Sequence, residues 1–102
     1  METLIANRPV QVNEQGYLLD MSQWDKEIAR NIAREEAIEL TDRHFEVLDF
    51  LRDEQEKGTA LSIRKIGKSG VVDIKEFYEL FPDGPLKKAS RIAGIPKPAS
   101  CI

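Results

Sequence analysis

The single cysteine of the sequence, Cys101, lies one residue from the carboxyl end of the 102-residue chain. A thiolate is the strongest nucleophile among ordinary side chains, so this residue could attack a disulfide or a persulfide. Pro96 and Pro98 precede it, and neither can continue a helix. Each also favours an extended conformation in the residue before it. The sequence therefore predicts a short, stiffened arm, residues 95–102, that carries a thiol beyond the folded body.

A lone thiol limits the chemistry that the chain can perform. It can form a mixed disulfide, carry a persulfide, or bind a soft metal together with ligands from another chain. It cannot close an intramolecular redox cycle, because there is no second cysteine. We find no glycine-rich phosphate loop, no Ser-His-Asp arrangement and no metal-ligand spacing around His44, the only histidine. We therefore expect no cofactor and no metal, and a surface or partly buried His44.

Charge is distributed unevenly along the chain. Residues 1–60 contain 7 Lys or Arg and 14 Asp or Glu, whereas residues 61–102 contain 8 and 4. No acidic side chain follows Asp83. A positive field around the arm would favour the thiolate or persulfide anion and would attract acidic partners. The alternative is an ordinary solvated surface.

Turn and capping residues predict a mainly α-helical fold. Short apolar runs around the turn Asn13–Gly16 predict a small β-hairpin over about residues 10–19. Ser22, Thr41, Ser62 and Asp73 are candidate helix caps, and Pro85 suits a first helical position. The predicted helices span about residues 23–38, 42–57, 63–68, 74–80 and 85–93. Together with the hairpin they would form one compact orthogonal bundle, residues 1–94, in which Trp24 is a core anchor.

Two further features bound the class of protein. The two short helices around Ser69-Gly70 have the spacing of a helix-turn-helix, but the acidic net charge of −3 argues against direct DNA binding. No apolar run reaches membrane-spanning length, and the amino end lacks the pattern of a secretory signal. With one cysteine and no internal disulfide, the sequence predicts a cytoplasmic protein.

Several strings resemble the DsrC/TusE family, the sulfur-carrier proteins that include the gamma subunit associated with dissimilatory sulfite reductase. The similarity runs from about Gly16 to Ile102, and its most specific part is Ala93-Gly94-Ile95-Pro96-Lys97-Pro98 before a penultimate cysteine. Further matches are Gly16-Tyr17-Leu18, Phe50-Leu51-Arg52-Asp53 and Tyr78-Glu79-Leu80-Phe81-Pro82. The resemblance implies a sulfur carrier in which Cys101 accepts sulfur as a persulfide and delivers it into the active site of a partner enzyme.

The residue at position 90 separates two branches of this family. Members in dissimilatory sulfur metabolism have a second cysteine where this chain has Ser90. The pattern resembles the TusE branch, which implies a sulfur relay toward 2-thiolation of the wobble uridine of transfer RNA. The implied partners are a TusBCD-like donor complex and an MnmA-like tRNA thiouridylase. Such a carrier is of sulfurtransferase type and acts only with its donor and acceptor.

Two alternatives stay open at this stage. The chain could be a gamma-subunit-like partner of dissimilatory sulfite reductase subunits. It could also be a non-redox regulatory binding protein, because the segment from Gly58 to Tyr78 is shorter than in most members.

Basic residues also match positions near the arm in this family. We predict that they support docking, hold acidic partner surfaces and bias Cys101 toward its anion: Arg52, Arg64, Lys68, Arg91 and Lys97. For Arg52, ordinary ion pairing with the neighbouring Asp49 and Asp53 is the alternative.

Overall fold

The computed structural model describes residues 1–98, and the chain begins with a β-hairpin. Strands β1 (Glu2–Ile5) and β2 (Arg8–Gln11) pair antiparallel. Ala6 and Asn7 make the two-residue turn with positive φ angles of 54° and 62°. Such a turn twists in the sense that suits a hairpin.

The hairpin predicted over residues 10–19 is wrong in position. Only Val12 and Leu18 pair across that turn, as an isolated bridge. The turn itself is present, because the side chain of Asn13 accepts a hydrogen bond from the Tyr17 N–H at 3.0 Å. The strand partner of Arg8–Gln11 comes instead from the residues before it. No residue of β1 is fully buried, so β1 carries no alternating apolar pattern that would reveal it.

The first helix, α1 (Lys26–Glu35), is shorter than the predicted 23–38. Ser22 is not its cap; it lies in a separate 3₁₀ turn, Met21–Gln23, that Asp20 caps. Asp25 caps α1 instead, and its carboxylate accepts from the Ile28 N–H at 2.9 Å. The helix ends early because Ala37 adopts a left-handed conformation with φ of 58°.

The second helix, α2 (Asp42–Glu56), begins at a capping box in which Thr41 and His44 bond each other's backbone. The Thr41 N–H donates to His44 Nδ1 at 3.1 Å, and Nε2 lies 2.9 Å from the Leu80 carbonyl oxygen. Nδ1 is therefore the acceptor and Nε2–H the donor. His44 is buried, in contrast to the predicted surface or partly buried position, because both ring nitrogens find partners.

Two short helices follow, α3 (Ile63–Gly67) and α4 (Ile74–Leu80), and they pack on each other as the predicted pair. Arg43 fastens α4 to α2. Its Nε and Nη2 donate to the Glu76 carboxylate at 2.8 and 2.6 Å, and Nη2 also donates to the Val71 carbonyl oxygen at 2.7 Å. These bonds hold the pair against the start of α2.

The last helix, α5 (Pro85–Ile92), has Pro85 in its first turn, as predicted, and packs against α1, α2 and α4. The predicted mainly α fold, with a small hairpin and five helices, is confirmed. No helix among residues 1–98 is long and apolar enough to cross a membrane.

The core extends past the predicted boundary of the arm at residue 95. Ile95 is 0% exposed and belongs to the central apolar cluster, and Pro98 is buried as well. Only Pro96 and Lys97 of this stretch are exposed. The prediction that the chain leaves the body directly after Gly94 is therefore wrong, because the apolar side chain of Ile95 is retained in the core.

Candidate functional site

The site begins where α5 ends, because this is the point from which the chain runs toward Cys101. Trp24 Nε1 donates to the carbonyl oxygen of Ile92 at 2.7 Å. Gly94 has φ of +69°, and a Cβ placed there would overlap the indole ring of Trp24. Only glycine combines this left-handed backbone with such close approach. The indole therefore fits against the backbone of the helix end.

Arg52 holds the same helix end from α2. Its Nη1 donates to the Ala93 carbonyl oxygen at 2.8 Å, and its Nη2 donates to the Met21 carbonyl oxygen at 3.0 Å. The guanidinium carbon lies 4.3 Å from the centre of the Trp24 ring, so the cation stacks on the indole. We call Trp24 and Arg52, with the carbonyl groups of Ile92 and Ala93, the root clamp.

The electrostatics of the root clamp favour this arrangement. The carbonyl groups at the end of a helix carry partial negative charge, which a cation stabilises. Burial lowers the pKa of Arg52, while the charges of Glu56 and Asp49 oppose that shift. A guanidinium keeps its proton in proteins, so Arg52 remains a cation. The donors of Arg52 go to carbonyl oxygens, and within residues 1–98 it forms no ion pair with Asp49 or Asp53.

Beyond the root clamp, the chain lies along the body as far as Pro98. The Ile95 N–H donates to the Ser90 carbonyl oxygen at 3.2 Å. Residues 96–98 then line a groove of about 280 Å³ with the end of α2 and the loop after it, Gly58–Leu61. Cys101, the predicted sulfur-carrying residue, lies outside the described residues.

The predicted basic residues do not form one cluster. Arg52 belongs to the root clamp, and Arg64 and Lys68 lie at α3 without an ion pair in the part of the chain that the structure describes. Arg91 and Lys97 do come together. They line a second groove of about 280 Å³, whose remaining lining residues are Gln15, Tyr17, Glu36, Lys87 and Lys88.

Arg91 also joins α5 to α1. Its Nη1 donates to the Glu36 carboxylate at 2.7 Å, and its Nη2 lies 3.3 Å from Glu35. The guanidinium lies against Gly16, where an added Cβ would come within 2.9 Å of Nε. Arg91 therefore links α5 to α1. A larger side chain at position 16 would collide with its guanidinium, which explains the glycine there.

Comparisons with known proteins identify the family. Residues 4–102 match the family model described as "DsrC like protein". The chain belongs to the DsrC-like family. A Haemophilus influenzae relative named "Sulfurtransferase TusE homolog" is 43% identical over 101 residues, which cover 91% of this chain and 93% of the relative. Escherichia coli K12 "Sulfurtransferase TusE" is 37% identical, with 97% and 98% covered.

Solved structures of DsrC-like proteins share the fold. The oxidized gamma subunit of the dissimilatory sulfite reductase from Archaeoglobus fulgidus superposes with a TM-score of 0.80 at 34% identity, covering both chains completely. A chain of dissimilatory sulfite reductase I gives a TM-score of 0.84, also at 34% identity and full coverage of both chains. The resemblance drawn from the C-terminal string is thus confirmed, and the predicted sulfur-carrier role agrees with the names of the relatives.

Within this DsrC-like chain, Ser90 stands at the position predicted to match the second cysteine. Ser90 is 0% exposed, and its Oγ has no hydrogen-bond partner among the described residues. A buried hydroxyl without a partner is costly. The site at position 90 therefore accepts a side chain of this size, while residues 1–98 provide no hydrogen-bond partner for its hydroxyl.

Sequence reasoning missed the contribution of Trp24 and the nature of the Arg52 contacts. The sequence predicts Trp24 as a core anchor only, yet its indole N–H also donates a hydrogen bond to the carbonyl oxygen of Ile92, 68 positions later in the chain. Arg52 reaches a carbonyl group 41 positions away. The signal in the sequence was indirect. A glycine directly after a helix, here Gly94, indicates that another group packs closely on the backbone, but it does not indicate which residue provides that group.

Proposed function

We propose that this DsrC-like chain is a sulfur carrier whose Cys101 takes up sulfur and hands it to a partner enzyme. The observation that supports it best is the string Ala93–Pro98 before a penultimate cysteine, with its helix end held in the root clamp. Cys101 lies six positions beyond Ile95, the last residue of the apolar core. An extended segment of that length spans at most roughly 20 Å. A fixed root with a short reach suits delivery into a pocket of a docked protein.

The transfer step needs no cofactor. The Cys101 thiolate attacks the outer sulfur of a donor persulfide, the donor's S–S bond breaks, and the donor leaves as a thiolate with the electron pair. Cys101 then holds the persulfide. In discharge, a thiolate of the acceptor attacks the outer sulfur, and Cys101 leaves as the thiolate. No external oxidant or reductant enters, because the sulfur atom moves at unchanged oxidation level.

The partners that we propose are a TusBCD-like donor complex and an MnmA-like tRNA thiouridylase, in 2-thiolation of the wobble uridine in the cytoplasm. The relatives named TusE support this assignment over the alternatives. Ser90 supports it as well, since one cysteine cannot form an intrachain disulfide.

The body of the carrier, in this proposal, extends through Ile95 and continues as an arm that begins along the Gly58–Leu61 loop. The root clamp sets where the arm starts. Docking by Arg64, Lys68 and Lys97 stays part of the proposal.

The experiment is intact mass measurement after incubation with a cysteine desulfurase and the donor complex. The native chain should gain one sulfur atom, and Cys101→Ala should gain none while unfolding at the same temperature. Sulfur on the Cys101→Ala chain would overturn the proposal. Addition of the thiouridylase and unmodified transfer RNA should then discharge the native carrier.

A second candidate function rests on the solved relatives. Because a sulfite reductase chain gives a TM-score of 0.84, a gamma-subunit-like role is the alternative. Co-purification with a large sirohaem enzyme, combined with no discharge to the thiouridylase, would favour it. Discharge of sulfur to the thiouridylase, without co-purification of a sirohaem enzyme, would favour the sulfur relay to transfer RNA.

A further inference from the structure

A groove at the carboxyl end of α1 combines apolar and cationic surface. It has a volume of about 520 Å³, and we call it the α1 groove; its lining residues are Arg30, Arg34, Ala37, Ile38, Glu39 and Leu40. Ile38 and Leu40 are half-buried and form an apolar wall. Ala37, whose left-handed conformation ends α1, also lines the groove.

Three cations follow one another along α1 into this groove. Lys26, Arg30 and Arg34 are four positions apart, so they share one face at intervals of about 6 Å. All three are exposed. Lys26 and Arg30 each lie 5.3 Å from the centre of the Phe45 ring, which fixes where these two cations lie.

None of these cations has a carboxylate partner within residues 1–98, although acidic residues flank them. Asp25 pairs with Arg8 at 2.7 Å, and Glu36 pairs with Arg91 at 2.7 Å. Both acids therefore satisfy cations on other elements. Within the groove, Glu39 is the one carboxylate beside two guanidinium groups. The groove thus keeps a net positive charge in the half of the chain that is otherwise acidic.

We infer that the α1 groove docks an acidic segment, carrying aliphatic side chains, of the enzyme that accepts sulfur from Cys101. The inference rests on the proposed function and adds the docking surface to it. Arginine forks bind carboxylates with two parallel hydrogen bonds. Aliphatic side chains of the segment would cover Ile38 and Leu40. The groove volume of about 520 Å³ lies within the range of ligand-binding clefts.

The groove and the arm are placed to engage one partner together. The amino end of α1 follows Trp24 and so lies at the root clamp, while the groove lies at its other end. The ten residues of α1 span about 15 Å. The six residues after Ile95 reach roughly 20 Å when extended. A protein held in the groove is therefore within reach of the arm.

The test measures sulfur discharge from the loaded carrier to the purified thiouridylase with transfer RNA, as a function of carrier concentration. The variant is Arg30→Glu with Arg34→Glu. We expect its KM to rise at least tenfold while kcat stays within twofold, since the arm and the thiol are intact. Arg30→Lys with Arg34→Lys should give a KM between those of the native chain and the glutamate variant, because lysine keeps the positive charge but cannot form the two parallel hydrogen bonds of a guanidinium group.

The matched control changes net charge by the same amount elsewhere. Lys65→Glu with Lys75→Glu alters two exposed cations on α3 and α4 that have no ion pair among the described residues. This control should stay within twofold of the native KM. If both double variants shift KM equally, the effect is one of net charge and the inference is overturned.

A second measurement does not depend on sulfur transfer. A synthetic peptide in which glutamates alternate with leucines is titrated into the isotope-labelled native chain. We expect the amide signals of residues 30–40 to shift, and not to shift in the Arg30→Glu, Arg34→Glu variant. No shift in the native chain overturns the inference. A stronger shift of the same signals with unmodified transfer RNA overturns it in favour of a nucleic-acid surface.

The two proposals fail in different ways. If the native chain gains no sulfur, the proposed function fails and the peptide titration alone decides the groove. If the native chain transfers sulfur and the Arg30→Glu, Arg34→Glu variant keeps its KM, only the groove inference fails.

Discussion

Trp24 and Ile92 are joined by a 2.7 Å hydrogen bond from the indole N–H to the backbone carbonyl, across 68 positions of the chain. This bond fastens the end of α5 to the segment that precedes α1. Ile92 lies two positions before Gly94, and the segment that carries Cys101 follows Gly94.

Trp24→Phe should remove the bond and keep much of the stacking surface for Arg52. The Ile92 carbonyl oxygen then loses its donor, which costs about 1–3 kcal/mol of the free energy of unfolding. Urea unfolding checks this value. An unchanged midpoint would mean that water replaces the indole N–H at no cost.

Gly94→Ala should destabilise the fold by more than backbone strain alone explains. A left-handed alanine costs roughly 1–2 kcal/mol, and overlap of its Cβ with Trp24 should add about 1–3 kcal/mol. Gly70→Ala is the matched control, since Gly70 has φ of +83° and nothing within 4 Å of the added atom. Equal losses of unfolding free energy in both variants would show that the Trp24 ring moves aside at no energetic cost.

Arg52→Gln should impair delivery of sulfur and not its uptake. The shorter neutral side chain loses the charge-assisted bonds to Ala93 and Met21, so the start of the arm is held less firmly. We expect loading of Cys101 by a small inorganic polysulfide at the native rate and discharge to the acceptor slowed several-fold. Arg52→Lys should restore part of the rate.

The arm can be followed independently in the same variants. A nitroxide attached to Cys101 should give a more mobile electron paramagnetic resonance spectrum in Arg52→Gln than in the native chain. Identical spectra together with identical discharge rates would restrict Arg52 to a stabilising role.

Ser90→Ala should leave the fold equally stable or make it more stable by about 0.5–1 kcal/mol, because it removes a buried hydroxyl that lacks a partner among residues 1–98. Ser69→Ala is the control. Ser69 Oγ donates to the Ile66 carbonyl oxygen at 2.6 Å and accepts from the Val71 N–H at 3.1 Å, so its removal should destabilise. Thermal unfolding separates the two. A loss at Ser90 comparable with that at Ser69 would mean that its hydroxyl is satisfied in solution.

Asp25 should contribute acid sensitivity. Hydrogen bonds from Arg8, and then from the Ile28 N–H, lower the pKa of Asp25 to about 2. Because the pKa is lower in the folded state, the stabilisation is present above about pH 4 and is lost as the pH falls toward 2. The pair is half exposed, so the effect at neutral pH is small, about 1 kcal/mol or less.

Asp25→Asn retains a capping oxygen and removes the charge. Its free energy of unfolding should fall less steeply than that of the native chain between pH 4 and pH 2. Parallel curves for the two proteins would contradict the assignment of this acid sensitivity to Asp25.

Much of the helical fold could be predicted because its signals are local. Thr41, Ser62 and Asp73 cap the helices that follow them, and Pro85 lies in the first turn of α5. The start of α1 could not be predicted in the same way. Ser22 and Asp25 are both capping residues, and Asp25 is favoured by a long-range pair with Arg8 that no local pattern shows.

The site was predictable only in part, for a similar reason. The string before Cys101 has a specific spacing, so the family and the carrier role could be inferred from it. The burial of Ile95 and the root clamp depend on contacts with Trp24 and Arg52, which are distant in sequence. The resemblance to the family predicted a role for Arg52 near the arm, while its bonding partners could be identified only from the fold.

The position of Trp24 at the start of the arm has a practical consequence. Trp24 is the only tryptophan of the chain and Cys101 the only cysteine. The protein therefore contains one natural fluorophore at one end of the segment and one attachment point for a quencher near the other. With a quencher attached to Cys101, the emission intensity of Trp24 reports the distance between these two residues. A change in this intensity when a partner binds would show that the end of the arm has moved, and no residue has to be introduced for the measurement.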